Sequence, residues 1–152
     1  MRTTSGKRER AATIRRAATA LASRARAERA GELSLNQTAV LGRVAVQGPI
    51  TPGEVAEQLR MLPQSLTRTF AALEASGFVR RMPDPGDGRQ SLLVVTTQGR
   101  SALRAEMAPR DRWLARAMFA VLTEQECEEL MHAADLMLRL ADFESGVAVA
   151  EL

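Results

Sequence analysis

The sequence has few of the residues that stabilise small proteins by covalent or metal cross-links. Its 152 residues include one cysteine, one histidine, no tyrosine and only 3% aromatic residues. A single cysteine excludes a disulfide within the chain, and there is no cluster of cysteine and histidine that could hold zinc. Alanine, which supplies much of the apolar content, favours helices, whereas strands favour aromatic and branched residues. The composition therefore predicts a mainly α protein with a single core.

Several functional classes lack their chemistry in this chain. No apolar run near the N-terminus is long enough for a signal peptide or a membrane span, so we expect a cytoplasmic protein with no membrane partner. No nucleophile with a paired base, phosphate-binding loop or convergent carboxylate pair is present, so we expect no enzyme, no cofactor and no metal. Cys127 lies at helical spacing from Leu130 and Met131, which predicts buried packing rather than a redox sensor.

The charges are segregated along the chain. Residues 1–30 hold nine basic and two acidic side chains, whereas residues 117–152 hold one basic and eight acidic ones. All but one of the 21 cations are arginine, which suits bidentate contacts to phosphate and guanine. Two solvated helix faces would give the same pattern, so the charges alone do not decide between the two interpretations.

Start and stop signals divide the chain into helices and a hairpin. We predict a helix over about residues 8–30 that ends at Gly31. Further helices are predicted to be capped by Ser34, Thr51, Thr97 and Thr123, and one more begins at Pro63. The residues that carry capping boxes are Ser34 with Gln37, Thr51 with Glu54, and Thr123 with Glu126. Gly77 is the expected left-handed C-cap of the helix over 63–76. Residues 78–82 and 92–96 read as paired strands.

The helix over residues 63–76 has the pattern of a DNA-reading helix. Three residues at i, i+4 and i+7 form its predicted buried stripe: Leu66, Phe70 and Leu73. The opposite side carries Gln64, Arg68, Ala71 and Ala75, flanked by Ser65 and Thr67, so its polar groups cluster in the first two turns. Gln64 can bind adenine and Arg68 guanine in the major groove, while Ser65 and Thr67 suit phosphates. An ordinary amphipathic helix with a solvated glutamine and arginine has the same pattern.

The predicted hairpin that follows supports the DNA interpretation. Strands of about five residues cannot build a sheet core, and we expect them to project the loop that carries Arg89. An arginine at such a tip fits a narrow minor groove, and we assign Asp84 and Asp87 to bracing the turn and orienting Arg89. A plain hairpin with one exposed arginine is the alternative.

These motifs together resemble the MarR family of bacterial winged-helix regulators. The resemblance covers roughly residues 33–143. The pieces that carry it are LSLNQTAVL, VAEQL, SLTRTFAALEASGFVRR and the wing DPGDGRQSLLVVTTQGR. It implies a homodimer built from the first and last helices, repression at near-palindromic operators, and relief by a small and frequently aromatic ligand.

Two positions depart from the family's pattern. The wing has Gly86 and Gly88 where many relatives carry further basic residues, which leaves Arg89 to reach the minor groove. Leu62 stands where relatives often cap the reading helix with serine or threonine, and loss of such a cap costs about 1 kcal/mol.

The sequence therefore predicts a mainly α winged helix-turn-helix protein with a two-strand wing. We expect a basic helix over 1–33 that belongs to a dimerisation region, a DNA-binding lobe over 34–97, dimerisation helices over 98–143 and a disordered tail over 144–152. The expected function is a homodimeric, ligand-responsive repressor of double-stranded DNA targets, with a small-molecule effector of unidentified structure. The alternative is a winged-helix protein-interaction module without specific DNA binding.

Overall fold

A computed structural model describes residues 3–28 and 31–143, and within them the chain forms six helices and one two-stranded sheet. The elements in chain order are α1 (Thr3–Ala27), α2 (Leu35–Gln47), α3 (Pro52–Gln58), α4 (Pro63–Ala75), β1 (Val79–Pro83), β2 (Ser91–Val95), α5 (Thr97–Val121) and α6 (Glu124–Ala141). This order confirms the predicted mainly α winged-helix fold. The tail expected over residues 144–152 lies outside the described residues. The chain separates into two compact units, Met1–Arg112 and Trp113–Leu152.

The three predicted capping boxes are all present. At α2, α3 and α6 the cap hydroxyl accepts the N–H of the third helical residue, whose side chain in turn accepts the N–H of the cap. Each box satisfies two backbone donors that the helix itself leaves unpaired. Hydrogen bonds from the backbone and then the hydroxyl of Thr51 lower the pKa of Glu54, and Thr123 lowers the pKa of Glu126 in the same way.

The first helix differs from its predicted span of about residues 8–30. It runs over Thr3–Ala27, and the chain then turns at Glu28, whose N–H donates to the carbonyl of Ala25 at 3.1 Å. Gly31 therefore does not end this helix. A helix terminus that lacks a single distinctive capping residue is poorly specified by sequence, which explains the error.

The wing strands are antiparallel, and each lies one residue away from its predicted span. The register pairs Val79 with Val95 and Pro83 with Ser91. A further bridge joins the sheet to the segment before α3, because Ile50 and Leu93 exchange both backbone hydrogen bonds, at 3.2 and 2.7 Å. The base of the wing is thereby held to the helical core.

Thr96, and not the predicted Thr97, caps α5. Its hydroxyl oxygen accepts the N–H of Gly99 at 3.0 Å and lies 2.6 Å from the carbonyl oxygen of Gly77, to which it donates. Adjacent threonines offer the same hydroxyl to a cap, so the sequence alone could not choose between them. Gly99 is buried, and a Cβ at this position would overlap the carbonyl oxygen of Phe78.

The core of the first unit lies where α2, α3 and α4 pack on the sheet. Its buried apolar side chains are Leu33, Val40, Leu41, Val44, Ile50, Val55, Ala56, Leu66, Phe70, Leu73, Val79, Leu93 and Val95. All three residues of the predicted buried stripe on the helix over 63–76 belong to this core, which confirms the helical phase assigned from the sequence. The face opposite that stripe is therefore directed away from the core.

One acidic side chain is buried in the first unit. Glu106 is 1% exposed, and its Oε1 accepts a hydrogen bond from Arg110 Nη2 at 2.6 Å across one turn of α5. A Cβ at Gly31 would overlap the Glu106 carboxylate, so the segment before α2 lies directly against this ion pair.

In contrast to the helices that form the core of the first unit, α6 in the second unit buries none of its side chains within the described chain. Cys127 is half-buried rather than buried as predicted. Four of the large apolar side chains that α6 leaves exposed are Leu130, Met131, Leu138 and Leu140. The apolar face of α6 thus exists, as the sequence predicts, but no described residue covers it fully.

Candidate nucleic-acid interface

The recognition helix, α4, is fixed to the core along one side only. Its buried side chains pack mainly against α2 and α3, the two helices that precede it. Pro63 occupies the first helical position, where the absence of an N–H costs nothing. At the other end Ser76 closes the helix and Gly77 adopts a left-handed φ of 70°, as predicted. The helix therefore has a defined start, end and orientation on the lobe.

The opposite side of the recognition helix is exposed. All four predicted DNA-contacting residues of this helix are exposed, with Gln64 and Arg68 opposite the buried stripe and Ser65 and Thr67 on its flanks. The Thr67 hydroxyl donates to the Pro63 carbonyl at 3.4 Å. Among the described residues, Gln64 and Arg68 form no side-chain hydrogen bond or ion pair within the chain. Both therefore present their full donor sets outward.

The start of the recognition helix is unusual in two respects. Leu62 occupies the N-cap position and makes no capping hydrogen bond, because its side chain has no acceptor. The same side chain is 71% exposed, although its neighbour Met61 packs against the core. The exposed rim of the helix thus begins with an apolar side chain and continues with polar ones.

The turn between α3 and α4 contains an exposed arginine whose backbone conformation the sequence does not indicate. Arg60 adopts a left-handed φ of 53°, and the N–H of Met61 donates back to the Ala56 carbonyl at 2.9 Å to close α3. Glycine or asparagine usually marks such a backbone conformation, and arginine does not, so the sequence carried no signal. Arg60 therefore adds a positive charge just before the recognition helix, which itself carries Arg68.

The wing loop is organised by its two aspartates. Asp84 Oδ1 accepts the N–H of Gly86 at 2.8 Å, and Asp87 Oδ1 accepts the N–H of Arg89 at 3.0 Å. The second Asp87 oxygen accepts the side-chain amide of Gln90, also at 3.0 Å. The backbone N–H of Arg89 and then the amide of Gln90 hold the pKa of Asp87 below its ordinary value of 3.8. The loop backbone is therefore braced while the Arg89 side chain stays exposed.

A second arginine links the wing to the recognition helix. Arg81 on β1 forms an ion pair through Nε with Glu74 on α4, and its Nη1 donates to the Ser91 hydroxyl at 2.8 Å. This link has no local signal in the sequence, because the arginine and the glutamate are seven residues apart and belong to different elements. The contacts connect the two parts of the candidate interface.

A small cleft lies next to the C-terminal end of the recognition helix within the first unit. Its volume is about 320 Å³, and its lining includes Gln37, Ser76, Phe78 and the buried Glu106. The cleft therefore borders both the C-terminal end of the recognition helix and the middle of α5.

Other kinds of site are not formed by the described residues. Across residues 3–28 and 31–143, no three histidine, cysteine, aspartate or glutamate side chains come together in a way that could bind a metal ion. None of the helices there combines the length and apolarity needed to cross a membrane.

Comparison with known proteins places this geometry in a family. Residues 33–91 match the family model described as the MarR family. An uncharacterized HTH-type transcriptional regulator of Mycobacterium bovis is 43% identical over 110 residues, which cover 72% of this chain and 76% of that protein. A transcriptional regulator structure from Pseudomonas aeruginosa is 35% identical, covers 91% of this chain and 98% of that one, and superposes with a TM-score of 0.74. Wild-type apo MarR from Escherichia coli is 27% identical, covers 70% of this chain and 79% of that one, and gives a TM-score of 0.59. The chain therefore belongs to the MarR family: it is a winged-helix transcriptional regulator and not an enzyme.

Proposed function

We propose that this regulator binds double-stranded DNA as a homodimer and represses transcription at near-palindromic operators. The observation that carries the proposal is the division of the recognition helix into a fully buried apolar stripe and an exposed polar side. A helix attached to its lobe in this way can enter the major groove without loss of core packing.

The unpaired side chains at the start of the helix supply base recognition. Gln64 suits the N6 and N7 edge of adenine, and the guanidinium of Arg68 suits O6 and N7 of guanine. Ser65 and Thr67 lie on the flanks, where hydroxyls reach phosphates. Two half-sites about one helical turn apart would match the two lobes of a dimer.

The wing contributes a minor-groove contact through Arg89. Its backbone N–H is already engaged by Asp87, so the side chain extends from a braced loop and loses less conformational freedom on binding. A narrow minor groove attracts such an arginine through its strong negative potential. Asp84 and Asp87 act within the loop and make no contact with DNA in this proposal.

The dimer would cover the apolar faces that the chain leaves open. In α1, Ile14 and Leu21 are 47% and 43% exposed, and in α6 Leu138 is 66% exposed. An exposed apolar helix face of this kind commonly marks a surface that binds another protein chain. The basic α1 and the acidic α6 are also complementary in charge, which favours contact between two copies.

The cleft next to the C-terminal end of the recognition helix is the proposed place for an effector. A molecule bound against Ser76 and Phe78 would contact the end of the recognition helix, and its differential affinity for two orientations of that helix would change DNA binding. The chemical identity of the effector does not follow from the lining.

Fluorescence anisotropy tests DNA binding directly. The purified protein is titrated into the DNA upstream of its own gene and into a scrambled duplex, across a salt series. We expect selective binding with a steep salt dependence. Weak, equal binding to both duplexes, together with no operator recovered from randomised DNA, would favour the protein-interaction module instead.

Two matched substitutions test whether Arg68 contacts a base. Arg68→Ala should weaken specific binding by about 1–3 kcal/mol and relax the preference at one base position. Arg68→Lys keeps the charge but removes the bidentate fork, so it should relax the same preference. Arg68 would contact phosphate instead if the Arg68→Lys protein kept full base selectivity, or if Arg68→Ala weakened binding to specific and random DNA equally.

Sedimentation velocity tests the dimer. Leu138→Glu introduces a charge into the exposed face of α6 and should shift the protein towards monomer. Val46→Glu, at a side chain that is 81% exposed in the first unit, is the control and should leave the dimer intact. A monomeric wild-type protein, or equal behaviour of the two variants, would contradict the proposed interface.

A further inference from the structure

The recognition helix starts at Leu62 without a side-chain cap, whereas four other helices of this chain have one. Helices α2, α3 and α6 begin with complete capping boxes, and the hydroxyl of Thr96 caps α5. The recognition helix has a leucine at the same position and no side-chain cap. A serine or threonine there would stabilise the helix, so Leu62 lowers stability at this position relative to a capping residue.

Packing does not explain the leucine either. Its side chain is 71% exposed, whereas Met61 beside it contacts the core cluster. Isolated exposed leucines are common on protein surfaces and need no explanation by themselves. This one coincides with a missing cap, and it lies two residues before Gln64, on the rim that the proposed function directs into the major groove.

In the major groove, the group that an apolar side chain contacts most favourably is the methyl group of thymine. The base edges there consist of hydrogen-bond donors and acceptors, apart from the C5-methyl group of thymine. Against any other base, a leucine would remove water from polar edges without replacing their hydrogen bonds. Against thymine, it would bury the methyl group together with its own exposed surface.

We infer that Leu62 is a specificity-determining residue that selects thymine in each operator half-site, next to the base contacted by Gln64. The inference rests on the proposed DNA-binding function and adds a base preference to it. In this arrangement the recognition helix lacks a cap because its N-cap position presents an apolar side chain to DNA. Burial of one methyl group corresponds to about a fourfold change in affinity for each half-site.

Replacement of thymine by deoxyuridine isolates the methyl group. Duplexes are first recovered by in vitro selection with the full-length protein from randomised DNA, and each thymine of the selected half-site is then changed singly to deoxyuridine in both half-sites. We expect one of these changes to weaken wild-type binding by about fifteenfold, because the two half-sites each lose about fourfold. The same change should have no effect on the Leu62→Ala protein.

Two further variants separate DNA reading from helix stability. Leu62→Ser supplies a capping hydroxyl, so it should melt at or above the wild-type temperature and still lose its sensitivity to deoxyuridine. Arg68→Ala weakens binding through another base, so the ratio of its affinities for thymine and deoxyuridine duplexes should match that of the wild type.

The outcomes distinguish this inference from the function on which it rests. If selection recovers no operator, the proposed DNA-binding function fails, and the inference fails with it. If the wild type binds a selected operator but tolerates every deoxyuridine, or if Leu62→Ala keeps the same sensitivity, only the thymine preference is wrong.

Discussion

The close approach of Gly99 to the wing gives a sharp prediction about stability. A Cβ at this position would overlap the carbonyl oxygen of Phe78, with the carbonyl carbon and the Cα of Phe78 also within 3.0 Å. These atoms are backbone and cannot rotate aside, and the same carbonyl accepts the N–H of Thr96 at 3.0 Å. The start of α5 would therefore have to move away from the strand if any larger residue replaced the glycine.

The matched control is Gly42 in α2, where a Cβ would meet nothing within 4 Å. Both positions are helical, so alanine gains about 1 kcal/mol of helix propensity at each. Overpacking of a filled site costs about 1–3 kcal/mol or more. Because the overlap at Gly99 is with backbone atoms, the cost there lies at or above the upper end of that range. We therefore expect Gly99→Ala to lower the free energy of unfolding by about 2 kcal/mol or more and Gly42→Ala to raise it by up to about 1 kcal/mol.

Urea unfolding followed by circular dichroism measures this difference. The protomer concentration must be held constant, because the stability of the proposed dimer would depend on it. The melting temperatures should differ in the same direction, by about 2–4 °C for each kcal/mol. Equal stabilisation by the two substitutions would show that the space beside Gly99 is not restrictive and would refute the reasoning.

Three other predictions follow from particular contacts. Glu106→Ala should cost about 3–5 kcal/mol in urea unfolding because it leaves Arg110 in a largely buried position without this carboxylate, and a loss below about 1 kcal/mol would contradict the buried pair. The lowered pKa values of Glu54 and Glu126 predict a contribution to stability that is present above their ordinary value of 4.5 and is lost as the pH falls further. The double Glu→Gln variant should lose that part of the pH dependence in acid titration, and an unchanged profile would contradict it. Oxidation of Cys127 should leave operator affinity unchanged in anisotropy, and a thiol-reversible loss that is absent from Cys127→Ser would overturn this expectation.

Much of the fold could be predicted because its signals are local. A capping box requires two side chains three residues apart, and a buried stripe requires apolar residues at helical spacing, so both can be recognised in a short stretch of sequence. The three capping boxes, the stripe of the recognition helix and the left-handed Gly77 were all predicted in this way.

Most of the errors and omissions depend on tertiary contacts or on a backbone conformation that a short sequence pattern does not specify. The end of α1 is the exception, because it lacks a distinctive capping residue. The choice of Thr96 over Thr97 depends on the carbonyl of Gly77, 19 residues earlier in the chain. The link from Arg81 to Glu74 depends on how the strand crosses the helix, and the left-handed Arg60 depends on how α3 closes. The partial exposure of Cys127 reflects an apolar face that no described residue covers fully. The DNA-contacting roles of Gln64, Ser65, Thr67, Arg68 and Arg89 stay predictions.

The hydrogen bonds between Ile50 and Leu93 have a consequence for the dynamics of the wing. They join the base of the hairpin to the segment that leads into α3, so the amide hydrogens of both residues should exchange with solvent only when the core itself opens. The loop beyond Pro83 and Ser91 is held by its own short-range hydrogen bonds and should exchange much faster. A slowly exchanging base would keep the wing in place on the lobe. The tip, braced only by local hydrogen bonds, would adjust to the width of a DNA groove by small shifts of the loop as a unit.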